Sequence, residues 1–164
     1  MEQLIVGKSL EIQLAALLDT LPSDATVSYM VTRLNEGEEA TIVASSKETI
    51  VHTGASMVKT LILEYVFHLA AQEQLDLNDT IALSRSPRVE GAGALMELVG
   101  NHSFSYLELC RLMMVLSDNW ATNLLIQALG MENINARAEQ LGLEHFEINR
   151  MMMDFTAVKE NREN

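Results

Sequence analysis

Apolar residues in the first fifty positions follow two different periods in turn. Helical spacing begins after Ser9, a residue type that caps helices, and stops at Leu21-Pro22; its apolar positions are Leu10, Leu14, Leu17 and Leu18. From Thr26 to Leu34 the apolar residues instead tend to alternate with polar ones, and 41–44 is a second short strand-like run. The segment 35–38 between them, Asn-Glu-Gly-Glu, has turn chemistry. This part of the chain therefore predicts one helix followed by a β-hairpin.

The remainder of the chain is dominated by helical periodicity. An amphipathic helix begins near Ser56 and runs to about Glu73, followed by at most a short extended piece at 80–83 and a short helix at 95–99. Ser105 and Glu108 have the spacing of a capping box and begin another helix. Two further helices stop at Gly130 and Gly142. The pattern predicts an α/β (α+β) fold of two lobes, one helical and one an incomplete antiparallel sheet.

Composition narrows the classes of function. The chain has 164 residues, enough for one domain with a core, and a net charge of −12, which argues against nucleic acid or an anionic membrane as a partner. Its single cysteine, Cys110, excludes an internal disulfide and lies in an apolar run that predicts burial. We expect no metal and no cofactor, and we expect the methionine run 151–153 to pack against other residues rather than bind a ligand.

Neither a membrane span nor an export signal is evident in the sequence. No apolar stretch approaches the roughly 20 residues that a spanning helix needs. The first residues lack the basic start and small-residue cleavage site of a signal peptide. We therefore expect a cytoplasmic protein as the sequence is written, or a secreted or periplasmic one if its N-terminus was trimmed.

A serine and a lysine three residues apart, Ser56 and Lys59, begin the helix after the hairpin. Positions i and i+3 share a helix face, with Cβ atoms roughly 5–6 Å apart, so the lysine amine can reach back to the serine hydroxyl. A hydroxyl becomes a good nucleophile only when a neighbouring base takes its proton, and an amine can do so once its pKa is lowered by burial. A serine cap followed by a surface lysine is the ordinary alternative.

A second cluster, Ser117-Asp118-Asn119, lies between two amphipathic helices. Its ordinary interpretation is a helix junction whose short polar side chains cap the next helix. The alternative is that a serine and an amide project into a cleft. Together with Ser56 and Lys59 they would supply what acyl transfer needs: a nucleophile, a base, a proton donor for the leaving group and an amide-binding group.

The order and context of these motifs resemble the class A serine β-lactamases and the related penicillin-binding proteins. A hairpin leads into S-x-x-K, followed by Glu90-Gly91-Ala92-Gly93-Ala94-Leu95 and then S-D-N, and the similarity covers about 45–154. The resemblance implies that Ser56 is the acylated nucleophile and Lys59 its proton acceptor or relay. It also implies that Ser117 passes a proton to the leaving nitrogen, that Asn119 holds the substrate amide and that Asp118 is structural.

Two features depart from the family pattern. In class A enzymes the Ω-loop opens with an arginine and has a glutamate two residues later that activates the deacylating water. Arg150 matches the arginine, but Met152 occupies the glutamate position and the nearest carboxylate is Asp154. The family's third motif, K-T-G, which lies on a strand that supplies an oxyanion-hole N–H, does not occur in this sequence. We therefore expect a C-terminally truncated member of the family.

The resemblance divides the chain into three segments and leaves three functions open. Residues 1–52 would be the helix and hairpin of an incomplete α/β lobe, 53–146 the helical lobe with both motifs, and 147–164 the start of an Ω-loop-like segment. The first function is a serine hydrolase acting on a β-lactam, a D-Ala-D-Ala peptide or an ester. The alternatives are a penicillin-binding or sensing module with slow turnover, and a non-catalytic fragment. We expect self-association, or a separate C-terminal piece that completes the sheet.

Overall fold

The structure, a computed structural model, describes residues 10–34, 36–37 and 40–160 and divides into two compact units between His52 and Thr53. In the first unit, helix α1 (Leu10–Leu18) packs against an antiparallel hairpin of β1 (Tyr29–Arg33) and β2 (Thr41–Ser46). The predicted helix and hairpin are thus confirmed. Ser9 and part of the predicted turn, residues 35 and 38, lie outside the described residues.

The hairpin contains one irregularity. Val31 faces Ala44, whereas the next residue, Thr32, faces Ile42, so β2 has one extra residue at this point. Such a bulge bends a strand and increases its twist. Of the hydrophobic residues described in this unit, Ala44 is the one that is fully buried.

Five α-helices are the longest elements in the described part of the second unit. They are α2 (Val58–Ala71), α3 (Tyr106–Val115), α4 (Asn119–Leu129), α5 (Met131–Gln140) and α6 (Phe155–Lys159). Helix α4 is buried along most of its length, and α2 packs against α3, α4 and α5. A helix apolar on nearly all sides is stable only when other elements surround it. Helix α4 is therefore the central support of the unit, and its N-terminus is held in place by the core.

Two helix ends follow the sequence signals directly. Ser105 and Glu108 form the predicted capping box at the start of α3, since each side chain bonds the other residue's backbone N–H. Gly130 ends α4 with φ 85°, a conformation in which a residue with a Cβ is strained.

Three parts of the second unit differ from the prediction. The extended piece is strand β3 (Thr80–Ala82), and it pairs with β4 (Ser103–Ser105), a strand the periodicity did not indicate. The expected helix at 95–99 is wrong in extent, because only a 3-10 turn at Leu95–Glu97 forms before the chain becomes extended at Leu98. A separate Ω-loop-like segment from residue 147 stays a prediction.

Candidate active site

Ser56 lies in a single 3-10 turn, Ala55–Met57, that leads directly into α2. Its side chain is exposed, and the preceding residue, Ala55, has φ 44° in the left-handed region. A non-glycine residue in that region is strained and persists only where the surrounding structure imposes it. Ser56 therefore follows a strained residue and lies at the surface, whereas Val58 and Lys59, at the start of α2, are buried.

Lys59 is only 3% exposed, one turn further along α2. Its Nζ donates to the Ser117 carbonyl at 2.8 Å, to the Ser117 Oγ at 2.8 Å and to the Asn119 Oδ1 at 3.1 Å. No hydrogen bond joins Lys59 to Ser56 within the described residues, so the amine does not make the expected bond to that hydroxyl there. The amine is directed at the S-D-N motif instead.

Burial lowers the pKa of Lys59 below its ordinary value of 10.5, while the negative charge of Asp118 opposes that shift. Desolvation disfavours the charged form of an amine, and a nearby carboxylate favours it. The direction of the shift is the one that an amine acting as a proton acceptor requires.

Ser117 presents two acceptors to the lysine because of its backbone conformation. It has φ 53°, again in the left-handed region, and it connects the end of α3 to the start of α4. Its carbonyl oxygen and its hydroxyl oxygen are both within 2.8 Å of the Lys59 Nζ. A local strain of this kind is common where a side chain must be held in one functional orientation.

Asp118 fixes the motif to the rest of the unit. Its Oδ1 accepts from the Ala121 N–H at 2.9 Å and caps α4, and its Oδ2 accepts from the N–H groups of Ala94 and Leu95 at 2.7 and 2.9 Å. Gly93 passes so close that a Cβ there would lie 2.3 Å from the carboxylate. Asp118 thus caps α4, as the capping interpretation of S-D-N predicted, and also joins two segments; the cleft interpretation stays a prediction.

Asn119 divides its amide between two partners. Its Oδ1 accepts from Lys59, and its Nδ2 donates to the Glu90 carbonyl over a long 3.5 Å. The backbone N–H of Asn119 donates to the Ala92 carbonyl at 3.0 Å, which holds the glycine-rich segment beside the site. Because the Nδ2 bond is long, that N–H group has donor capacity left for a substrate carbonyl.

The segment around Met152 is held by an asparagine of α4. The Asn123 amide donates from Nδ2 to the Met152 carbonyl at 3.1 Å and accepts from the Met152 N–H at 2.7 Å. Asn135 binds the backbone of Ile148 in the same reciprocal way, at 3.0 and 2.8 Å. Asp154, the nearest carboxylate, accepts from the N–H groups of Thr156 and Ala157 and so caps α6.

Sequence reasoning did not assign a role to these two asparagines or to the carbonyl of Glu90. We call Asn123 and Asn135 the asparagine clamps, because each binds the N–H and the C=O of one distant residue. An asparagine inside a helix is usually a solvated surface residue, so the sequence does not distinguish a clamp from a surface position. Met151 and Met152 pack against the core, as the sequence indicated, whereas Met153 is partly exposed.

The remaining chemical features of the described residues are few. Cys110 is buried, and burial raises the pKa of its thiol to about 11, so it is held as an unreactive thiol. In residues 10–34, 36–37 and 40–160 no helix has the length and apolar character required to cross a bilayer.

The candidate residues lie in one helical unit: Lys59 is buried and bound to Ser117 and Asn119, and Ser56 is exposed in the turn before α2. The sequence model of the Beta-lactamase enzyme family matches residues 9–164, and the chain belongs to that family. It is 31% identical over 97 residues to β-lactamase BRO-1 of Moraxella catarrhalis, covering 55% of this chain and 31% of that protein.

Solved structures agree with this assignment. PBP-A is 26% identical with a TM-score of 0.72, covering 89% of this chain and 54% of its own. A leucine-to-glutamate mutant of PBP-A, in an acyl-enzyme complex with penicillin G, is 27% identical with the same TM-score and coverage. A β-lactamase from Sphaerobacter thermophilus DSM 20745 is 27% identical with a TM-score of 0.65, covering 75% of this chain and 45% of its own. The chain therefore spans about half the length of these solved relatives and about a third of BRO-1.

Proposed function

We propose that this protein forms an acyl-enzyme on Ser56 with a β-lactam, a D-Ala-D-Ala peptide or an ester. The observation that carries the proposal is the Lys59 ammonium, which is buried and bound to both Ser117 and Asn119. Lysines are almost never fully buried unless paired, and the partners of Lys59 are the two residues of S-D-N that acyl transfer would use. The acyl-enzyme of a PBP-A mutant with penicillin G supports the same chemistry in a relative.

The acylation step moves one proton from the nucleophile to the leaving group through Lys59 and Ser117. The neutral Lys59 amine accepts the Ser56 hydroxyl proton, directly or through a water, while Oγ attacks the substrate carbonyl carbon. The C–N or C–O bond then breaks, and Ser117 passes its hydroxyl proton to the leaving atom. The lysine ammonium then returns a proton to Ser117 along their 2.8 Å hydrogen bond, so Ser117 and Lys59 are restored and the net result is the transfer of one proton from Ser56 to the leaving group.

Asn119 would orient the substrate during this step. Its Oδ1 is engaged with Lys59, which leaves the Nδ2 side of the amide for the substrate's amide carbonyl. Fixing that carbonyl aligns the scissile bond with Ser56, and orientation of this kind contributes several kcal/mol to rate enhancement.

Met152 favours a penicillin-binding or sensing function with slow turnover. Its thioether cannot accept a proton from water, and one oxygen of Asp154, Oδ1, is bound to two backbone N–H groups of α6. Acylation would then outrun deacylation and the acyl-enzyme would persist.

A third possibility is that this chain is inactive by itself and acts with a partner. The sequence lacks K-T-G, and losing one oxyanion-hole donor costs roughly 10²–10³ in rate. A separate piece carrying that strand, or a second copy, would supply the missing edge of the hairpin.

The test is covalent labelling with a fluorescent penicillin, followed by peptide mapping of the labelled residue. We expect label on Ser56 and none after Ser56→Ala. Ser84→Ala, which removes another exposed serine of the same unit, should label normally. Equal labelling of Ser56→Ala, or no labelling of the unmutated chain with either penicillin or a fluorophosphonate, would refute the proposal for this chain.

A further inference from the structure

Met153 lies against the glycine-rich segment next to Asn119. A Cβ built on Gly91 would be 2.8 Å from the Asn119 Nδ2 and 3.4 Å from the Met153 Sδ, so the amide and the thioether both lie close to Gly91. Gly91 has φ 101° and Met153 has φ 64°. Only a glycine leaves this space open, and the space lets the sulfur come near the amide.

The same methionine is accessible to solvent. Its side chain is 37% exposed and lines a cavity of about 300 Å³, together with Glu90, Met152 and Phe155. A peroxide small enough to enter that cavity can reach the sulfur. Met57, Met30 and Met114 are also exposed, and Met153 differs from them in lying close to Gly91 beside Asn119.

We propose that Met153 is an oxidative modification site whose sulfoxide oxygen binds the Asn119 amide and blocks the substrate position. In the reaction the thioether sulfur loses two electrons and gains one oxygen from hydrogen peroxide, and the peroxide is reduced to water. The product is a strong acceptor where the thioether was a weak one. Asn119 Nδ2 can donate a hydrogen bond to the sulfoxide oxygen because its existing bond to the Glu90 carbonyl is long.

The effect on acylation rests on the proposed function, in which the same N–H group binds the substrate carbonyl. A sulfoxide on Met153 would compete for that N–H. The loss of one such hydrogen bond corresponds to a decrease of up to about tenfold in the labelling rate with penicillin. Enzymatic reduction of the sulfoxide should restore the rate.

The first experiment does not depend on activity. The full 164-residue chain is treated with hydrogen peroxide, oxidised methionines are located by peptide mass, and the Asn119 side-chain N–H₂ signals are followed by NMR. We expect Met153 to gain one oxygen and the Asn119 signals to move. Met153→Leu should abolish the movement, because leucine has no oxidisable sulfur. The substitution leaves the backbone strain at this position similar, since leucine, like methionine, carries a Cβ.

The matched control is Met114→Leu, which removes a methionine of similar exposure, 42%, on α3. In that variant the Asn119 signals should still move on oxidation. Unmodified Met153, unmoved Asn119 signals, or movement that persists in Met153→Leu would each overturn the proposal. The second experiment measures the penicillin labelling rate before and after oxidation in each variant. Oxidation should lower the rate in the unmutated chain and in Met114→Leu, but not in Met153→Leu. If the untreated chain does not label at all, the proposed function fails, while the NMR result still decides the modification site.

Discussion

Lys59 and Ser117 are joined by two hydrogen bonds of 2.8 Å, one to the carbonyl and one to the hydroxyl oxygen, although 58 positions separate them in the chain. With Asn119 as a third acceptor, every proton of the ammonium group has a partner. The charged lysine is thus well bound in the resting state. To act as a proton acceptor it must first lose a proton, and burial lowers the pKa at which it does so.

The first prediction is that the rate of acylation rises with pH through the lowered pKa of Lys59. Below that pKa the amine is protonated and cannot accept the Ser56 proton; above it the rate should level off. The transition should lie below 10.5, the ordinary value for lysine. Stopped-flow labelling with penicillin across pH measures it.

Lys59→Arg is the informative variant, since guanidinium keeps the charge but has no accessible neutral form. It should lose roughly 10²–10⁴ in rate, the usual contribution of a positioned base. Lys47→Arg, at an exposed lysine, should leave both the acylation rate and its pH dependence unchanged. A pH-independent rate in the unmutated chain would exclude Lys59 as the base.

The second prediction concerns deacylation at position 152. Met152→Glu places a carboxylate on a segment whose backbone Asn123 holds in place, so it should shorten the lifetime of the acyl-enzyme by roughly 10²–10⁴-fold. Release of the labelled acyl group, followed by mass spectrometry, measures the lifetime.

Met151→Glu adds the same charge one residue earlier, at another side chain packed on the core, and should not speed release. Fast penicillin turnover by the unmutated chain would show that Asp154 or another group already activates water.

The extent to which sequence predicted this structure depended on the distance between interacting residues. Ser105 and Glu108 are three apart, and their capping box formed as expected. Strand β4 was missed because its three residues become a strand only by pairing with β3, and that pairing leaves no local period in the sequence.

In the candidate site, too, the local features could be predicted from the sequence and the long-range contacts could not. The residue types at Ser56, Lys59, Ser117 and Asn119 pointed to acyl transfer, but helix spacing alone directed the Lys59 amine to Ser56. The tertiary fold instead places three oxygen acceptors of the S-D-N motif around it. Three hydrogen bonds to a buried ammonium outweigh one local contact, and no rule based on i, i+3 spacing contains them.

The third prediction is that the two asparagine clamps differ in their contribution to stability. Asn123→Ala removes both bonds to the part-buried Met152 backbone and leaves its N–H and C=O without their partner, at a cost of about 1–3 kcal/mol in the free energy of unfolding. Asn135→Ala should cost less, because Asn135 is only half-buried and water can replace the lost amide. Urea denaturation measures both.

Asn123→Ala should also abolish the gain in deacylation from Met152→Glu, whereas Asn135→Ala should preserve it. Equal stability loss in both variants, with the gain preserved in both, would show that Asn123 does not position residue 152.

The last prediction concerns the hairpin. Within the described residues β1 and β2 form a two-stranded sheet, so the outer N–H and C=O groups of both strands lack sheet partners. An isolated two-stranded sheet is marginal, and an open edge is a template for pairing with another chain. Uncovered apolar surface costs about 25 cal/mol per Å², a large burden against a typical stability of about 5–15 kcal/mol. We therefore expect residues 1–164 to associate through 26–46, with a second copy or with a piece carrying K-T-G.

Sedimentation of the purified chain over a range of concentrations tests whether it associates. A charged substitution on a hairpin strand then tests whether the hairpin is the surface through which it associates. Ile42 is 56% exposed on β2, and Ile42→Lys should weaken association because a lysine on an edge strand opposes pairing. Val99→Lys places the same charge on an apolar residue of the second unit that is 90% exposed, and association should persist there. If both variants weaken association equally, general apolar exposure drives it. A cooperative, stable monomer at all concentrations would contradict the prediction altogether, because the hairpin would then be stable without a neighbour.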